Sequence, residues 1–149
     1  MDLEYGNFMQ KPLEIDLDYE VRLQNCLRSL INKGFIKSAS DISEGGIFVS
    51  LAESAITCPN QTLGFAVNYD TSKSGVRIDS FLFSEFEQAF IISTDKKLNG
   101  PQKTTVSEIC AEYGIKLEKI GDVKKDVMKI NDKIDLKSDK IKEGYFSVI

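Results

Sequence analysis

Apolar positions along this chain change their period several times, and each change marks an element. From Asp16 onward Leu23, Cys26, Leu27, Leu30 and Ile31 recur at i, i+3, i+4, i+7 and i+8, which predicts a helix with these residues on its buried face. Asp16 or Asp18 is placed to cap it and Gly34 to stop it. Residues 1–15 hold no sustained period, and Pro12 keeps Lys11 out of helical angles, so they read as an irregular lead-in to one domain over 16–149. Phe35 to Ala39 suits a short strand that delivers the chain into Ser40-Asp41-Ile42-Ser43-Glu44-Gly45-Gly46. A second helix follows, with Ile47, Phe48, Leu51, Ala52, Ala55 and Ile56 on its apolar face and Pro59 just past its end.

Beyond that helix the period falls to two. Leu63, Phe65, Val67 and Tyr69 alternate with small or polar residues, as in a strand with one buried face, and Asp70 to Gly75 reads as a turn. Ser80 to Gln88 has mixed character and receives no assignment. Ala89-Phe90-Ile91-Ile92 is a continuous apolar run of the kind found in a buried central strand. Residues 101–113 predict a helix with Val106, Ile109, Cys110 and Tyr113 inward and Gly114 as its stop. Ile115, Leu117 and Ile120 suggest a strand, and Met128, Ile130, Ile134 and Leu136 an extended pair turning near Asn131 and Asp132. This order predicts helices packed on a mixed sheet, with one layer of sheet covering one core.

Composition then removes whole classes of chemistry. The 149 residues contain no histidine, so imidazole acid–base catalysis, histidine-dependent nucleophiles and histidine-ligated zinc are outside this chain's reach. Hydrophobic residues at 42% and charged residues at 28% predict a soluble, folded domain. A formal charge of -4 gives no net positive field to draw nucleic acid or anionic lipid, and neither is expected as a partner. Between Asp122 and Glu143 seven lysines and six acids nearly cancel, which predicts a solvated face. Phe81, Phe83, Phe86 and Phe90 read as core or interface residues. Cys26, Cys58 and Cys110 form no C-x-x-C pair and are read as reduced, mostly buried thiols. With no signal peptide and no apolar stretch long enough to span a bilayer, a cytoplasmic protein is expected.

Two stretches carry candidate chemistry. In Asp41-x-Ser43-Glu44-Gly45-Gly46 the glycines at a helix start allow a ligand close to the backbone, where free N–H groups and the helix dipole favour an anion such as phosphate. Ser43 would donate its hydroxyl to a phosphate oxygen, and Asp41 would help hold Mg²⁺ as a hard oxygen ligand. The competing reading is structural: Asp41 caps the helix, Glu44 completes a capping box and the glycines serve only the turn. In Leu82-Phe83-Ser84-Glu85 the carboxylate of Glu85 is a candidate contact for a substrate hydroxyl or amide, against the alternative of a plain surface loop.

The run SASDISEGGIFVSLAESAI over 38–56, then LFSE over 82–85 and IGDV over 120–123, resembles the C-terminal domain of phosphoribosylformylglycinamidine synthase. That family shares a superfamily with aminoimidazole ribonucleotide synthetase, selenophosphate synthetase and thiamine-monophosphate kinase. The resemblance covers about Asp16 to Leu136. It implies an α+β fold, a three-layer α/β/α unit with a mixed sheet. It also implies a part in an ATP-dependent ligase of purine biosynthesis, in which formylglycinamide ribonucleotide is activated by phosphoryl transfer and glutamine-derived ammonia displaces phosphate. By motif position Asp41 matches a residue associated with nucleotide-bound Mg²⁺, and Ser43, Gly45 and Gly46 match the phosphate-contacting turn.

The implied cofactors are ATP and Mg²⁺. The implied partners are an N-terminal half of the same enzyme, which this chain lacks, and a glutaminase that supplies ammonia; a homo-oligomer is a further expectation. Alone, the chain is expected to be an inactive fragment with no catalytic residue of its own. It departs from the family pattern at Ser40, where a histidine is usual, at Ile47 in place of leucine, and at Phe86 and Ala89 in place of serine and arginine. Two other readings stand beside this one: a non-catalytic phosphate-binding or structural module, and a related enzyme of the selenophosphate synthetase or thiamine-monophosphate kinase type.

Overall fold

The computed structural model describes residues 15–59, 61–70, 75–85, 88–95 and 101–147, the last from 101 to 105 by backbone alone. Residues 1–14 of the lead-in, most of the Asp70 to Gly75 turn, and Phe86 lie outside them.

Helix α1 (Leu17–Asn32) starts where the pattern placed it, because the Asp16 carboxylate accepts a hydrogen bond from the Tyr19 amide at 3.0 Å and so satisfies one free donor of the first turn. Leu23, Cys26 and Leu30 are buried, whereas Ile31, expected on the same face, is 50% exposed. Strand β1 (Ile36–Asp41) leads into helix α2 (Gly46–Ile56), and strand β2 (Leu63–Val67) follows. The unassigned SFLFSEFEQ stretch contributes a short helix, α3 (Ile78–Phe83), that buries Leu82.

Strand β3 (Phe90–Thr94) differs from the expected buried central strand. Among the described residues it pairs only with β1, antiparallel, and its apolar residues are half-buried. Its apolar run is used on one side, where Ile92 packs against helix α4 (Pro101–Glu112) and α1. The strand expected over Ile115 to Ile120 is also absent: 115–120 is irregular, Leu117 is 41% exposed, and β4 begins one residue later at Gly121 and runs to Lys125. Pairing, not apolar spacing, sets that boundary, because Gly121 is the first residue opposite β2. The expected hairpin is present as β5 (Val127–Ile130) and β6 (Ile134–Lys137). Asn131 turns it with a left-handed φ of 46°, an angle that asparagine tolerates better than most residues. The charged end of the chain then folds as helix α5 (Ser138–Phe146).

The fold class is α+β, as expected, but one sheet over one core is not what forms. Among the described residues there are two sheets, the β1–β3 ribbon and a mixed four-stranded sheet in the order β4-β2-β5-β6. In the larger sheet Phe65 stands beside Met128, and Val67 beside Ile130. Those residues form one face, which packs on Ala52, Ala55 and Ile56 of α2 and on Leu82 of α3. Met128 and Ile130 are 0% exposed, and burying each side chain stabilises the fold by roughly 1.5–3 kcal/mol. The opposite face carries Asp122, Ala66, Lys129 and Asp135 in register, with a Lys129–Asp135 ion pair, so it is the solvated face that the charge balance implied. A second, separate core joins α1 to α4 through Cys26, Leu30, Val106, Ile109 and Cys110. No helix of the described residues is long and apolar enough to cross a membrane.

Candidate functional site

The turn between β1 and α2 is built on glycine backbone angles. Gly45 is the N-cap of α2 with φ 80°, and Gly46 follows with φ 70°, two successive left-handed residues that a side chain would strain. No side chain caps α2, so neither Asp41 nor Glu44 does the work that the structural reading assigned to them. The helix begins too late for Asp41 to reach its first amides, and Asp41 instead ends β1 with an exposed side chain. Its carbonyl accepts a hydrogen bond at 3.1 Å from the buried Ser50 hydroxyl, which also donates to the Gly46 carbonyl, tying the strand end to the helix start.

Gly46 also joins the two stretches that carry candidate chemistry. A Cβ at this position would lie 2.6 Å from the Ser84 carbonyl oxygen and 2.7 Å from that of Leu82. Only a hydrogen side chain therefore lets the 82–84 backbone lie against the start of α2. The consequence is that Glu85, 40 or more residues downstream in sequence, faces the same cleft as Asp41 and Ser43.

That cleft has a volume of about 830 Å³ and lies between α1, the β1–β3 ribbon and the turn before α2. Asp41, Ser43, Glu44 and Glu85 line it together. Gly45 and Gly46 do not line it; their expected contact with a phosphate rests on the turn's backbone alone. The sequence reading missed Glu20 and Gln88. The Gln88 side-chain amide donates to the Asp16 carbonyl at 2.7 Å, and its oxygen accepts from the Asp16 amide at 3.4 Å, so it fastens the start of α1 over the cleft. Nothing in a one-dimensional pattern signals a contact spanning 72 residues.

Among the described residues the lining includes four carboxylates, Glu20, Asp41, Glu44 and Glu85, and no lysine or arginine. Ser40 and Ala89, where the resemblance implied a histidine and an arginine, also line it. A bare phosphate entering this cleft meets repulsion, whereas a divalent cation is attracted. Among the described residues no three carboxylates or thiols converge as a ready-made metal cage. Mg²⁺ fits such a setting, since it is commonly held by one or two carboxylates together with phosphate oxygens and water.

The sequence matches the family described as AIR synthase related protein, C-terminal domain, over residues 3–132. The chain belongs to that family. Within it, the chain is 36% identical over 146 residues to the phosphoribosylformylglycinamidine synthase subunit PurL of Thermoanaerobacter pseudethanolicus, covering 95% of this chain and 18% of that protein. It is 39% identical over 94 residues to the PurL subunit of Chlorobaculum tepidum, covering 62% of this chain and 12% of that one. The chain thus spans less than a fifth of the length of these curated relatives. Its fold is similar to that of T. maritima PurL complexed with FGAR, with a TM-score of 0.65 at 17% identity over 83% of this chain and 21% of that one. The same protein complexed with ATP gives a TM-score of 0.65 at 15% identity, over 81% and 21% of the two chains. At these identities the solved structures establish the family's α+β fold for this chain.

Proposed function

We propose that residues 16–149 are the C-terminal domain of an ATP-dependent ligase of purine biosynthesis, the synthase that converts formylglycinamide ribonucleotide and glutamine-derived ammonia to the amidine. In this reading the domain contributes one wall of a nucleotide site and holds no catalytic residue itself. The observation that carries it is the convergence of Asp41, Ser43 and Glu85 on one cleft beside the left-handed Gly45–Gly46 step. The relatives support it: two curated ones are PurL subunits, and the PurL of T. maritima has been solved with FGAR, ATP, ADP and AMPPCP.

The roles of the residues follow from their chemistry. Ser43, exposed at the cleft wall, donates its hydroxyl to a phosphate oxygen. The first turn of α2, whose leading amides have no earlier helical carbonyl to bond, lends the positive end of its dipole to that phosphate. Asp41 holds Mg²⁺ bound to the nucleotide, which offsets the charge of the surrounding carboxylates. Glu85 faces the substrate side. Mg²⁺-ATP supplies the phosphoryl group that activates the substrate amide. The rest of a full-length synthase and a glutaminase would complete the site.

The test is a nuclear magnetic resonance titration of the 149-residue chain with Mg²⁺-ADP, following the amides from Ser43 to Ile47 and that of Glu85. Shifts confined to those residues and lost in Ser43→Ala are expected. No movement up to ~10 mM ligand, a binding free energy weaker than about -3 kcal/mol, overturns the reading that this wall holds a nucleotide by itself and assigns the affinity to the rest of the synthase. That result favours the second reading, a structural module, for which the specific observation is the lack of any lysine or arginine among the described residues of the cleft lining.

A further inference from the structure

Two of the three thiols meet in the second core. Cys26 on α1 and Cys110 on α4 are 84 residues apart in sequence, yet the Cys26 thiol donates toward the Cys110 sulfur at 3.8 Å. Both are free and buried, at 2% and 3% exposure, among Leu30, Val106 and Ile109. A disulfide needs sulfurs about 2.05 Å apart, so closing the bond asks for a relative movement of under about 2 Å across one helix–helix contact.

Buried thiols are usually inert because nothing reaches them. Here a recess of about 120 Å³ has both cysteines in its wall and shares Leu27, Gln88, Ala89 and Phe90 with the large cleft. Since a water molecule takes roughly 30 Å³ of liquid volume, the recess has room for a small uncharged molecule, and the shared residues place it directly beside the cleft. Its wall is largely apolar, which favours an uncharged oxidant over a charged one.

We propose that Cys26 and Cys110 form a dithiol modification site that a small hydroperoxide converts to a disulfide, joining α1 to α4 across the second core. The order of events follows from the hydrogen bond between them. Burial pushes the Cys26 thiol up to about 12 and raises Cys110 as well, but the hydrogen bond from Cys26 acts in the opposite direction on Cys110. Because the Cys26 thiol donates toward the Cys110 sulfur, a Cys110 thiolate keeps that hydrogen bond, and Cys110 is the first nucleophile. Its thiolate attacks the terminal peroxide oxygen, the O–O bond breaks, and the alcohol (water, for hydrogen peroxide) leaves after taking a proton. The Cys26 sulfur then displaces hydroxide from the resulting sulfenic acid, and hydroxide departs as water with the Cys26 proton. Two thiols and one hydroperoxide give one disulfide, one alcohol and one water; the sulfurs together lose two electrons and the peroxide gains them. Because α1 also carries Glu20 and Leu27 into the cleft wall, the bridge fixes that wall against α4.

The experiment treats the full chain carrying Cys58→Ser, which removes the half-buried third thiol, with hydrogen peroxide between pH 7 and 9. The expected product is an intramolecular Cys26–Cys110 bridge: a mass loss of two hydrogens, one cross-linked peptide pair, a raised thermal midpoint and full reversal by dithiothreitol. Its rate should rise about tenfold per pH unit, because the thiolate is the minor species throughout this range. Cys110→Ala in the same background should show neither the hydrogen loss nor the raised midpoint, and Cys26→Ala provides the same control should that variant fail to fold. Retention of both thiols, alkylatable after unfolding, overturns the proposal. So does oxygen addition without hydrogen loss.

Discussion

Gly46 has two independent reasons to be glycine. Its φ of 70° disfavours any L side chain by roughly 1–2 kcal/mol, and a methyl group there would press on the carbonyls of Leu82 and Ser84, which are backbone and cannot swing aside. Gly46→Ala is expected to lower stability by at least about 2 kcal/mol, measured by urea unfolding, and to alter the amide shifts of 82–85 in the same sample. Ser138 presents the reverse case. It is 0% exposed, its hydroxyl finds no hydrogen-bond partner among the described residues, and a buried unpaired hydroxyl costs about 1–3 kcal/mol. Ser138→Ala should leave stability unchanged or raise it by up to about 1 kcal/mol, and a clear loss in thermal unfolding would show that the hydroxyl has a partner in solution.

Cys26 ties stability to alkaline pH. Its folded-state value, near 12, lies above the ordinary thiol value of 9.0, so the folded chain keeps its proton where the unfolded chain releases it. The stabilisation is complete below about pH 9 and is lost as pH rises toward 12. Between those limits the stability advantage of the parent chain over Cys26→Ala should shrink, as read from denaturant midpoints taken at matched pH.

At the scale of elements, local signals and long-range contacts share the work of holding α1. Asp16 caps its start, and Gln88 fastens the same residue to the far side of the cleft. Asp16→Ala removes only the side-chain cap and should cost about 1 kcal/mol in urea unfolding, with faster hydrogen exchange confined to the first turn of α1. Caps and turns of this kind were legible in the chain, as Asp16, Asn131 and Gly114 show, because each acts on its own near neighbours. The α2 start was read less well. Asp41 with Glu44 three residues on looks like a capping box, but the left-handed glycines move the true N-cap past those side chains to Gly45. The β3 and 115–120 errors share one cause: an apolar run reports that a segment seeks burial, and hydrogen-bonded neighbours alone decide whether it becomes a central strand, an edge or an irregular segment.

Across the whole molecule, electrostatics decides what the cleft admits. Among the described residues four carboxylates and no basic side chain line it, so affinity for a nucleotide should depend on the divalent ion. With ADP, chelation of Mg²⁺ is expected to weaken binding by tenfold or more, equivalent to about 1.4 kcal/mol, in titrations read at the Ser43 to Ile47 amides. Inorganic phosphate alone should produce no shift at the same concentration. Equal binding with and without metal would remove Asp41 from the role of ion ligand.

By itself the sequence determined the helices that carry the cleft, the Leu63–Val67 strand, the hairpin turning at Asn131, the absence of imidazole chemistry and the α+β class. All of these follow from periodicity, turn chemistry or composition, which act over a few residues or over none. Only the tertiary structure decided that there are two cores instead of one, that Glu85 faces the cleft shared by Asp41 and Ser43, that Gln88 closes it from across 72 residues, and that Cys26 meets Cys110. Those outcomes depend on which apolar faces find each other in space, and a one-dimensional pattern encodes each face's preference for burial without naming its partner.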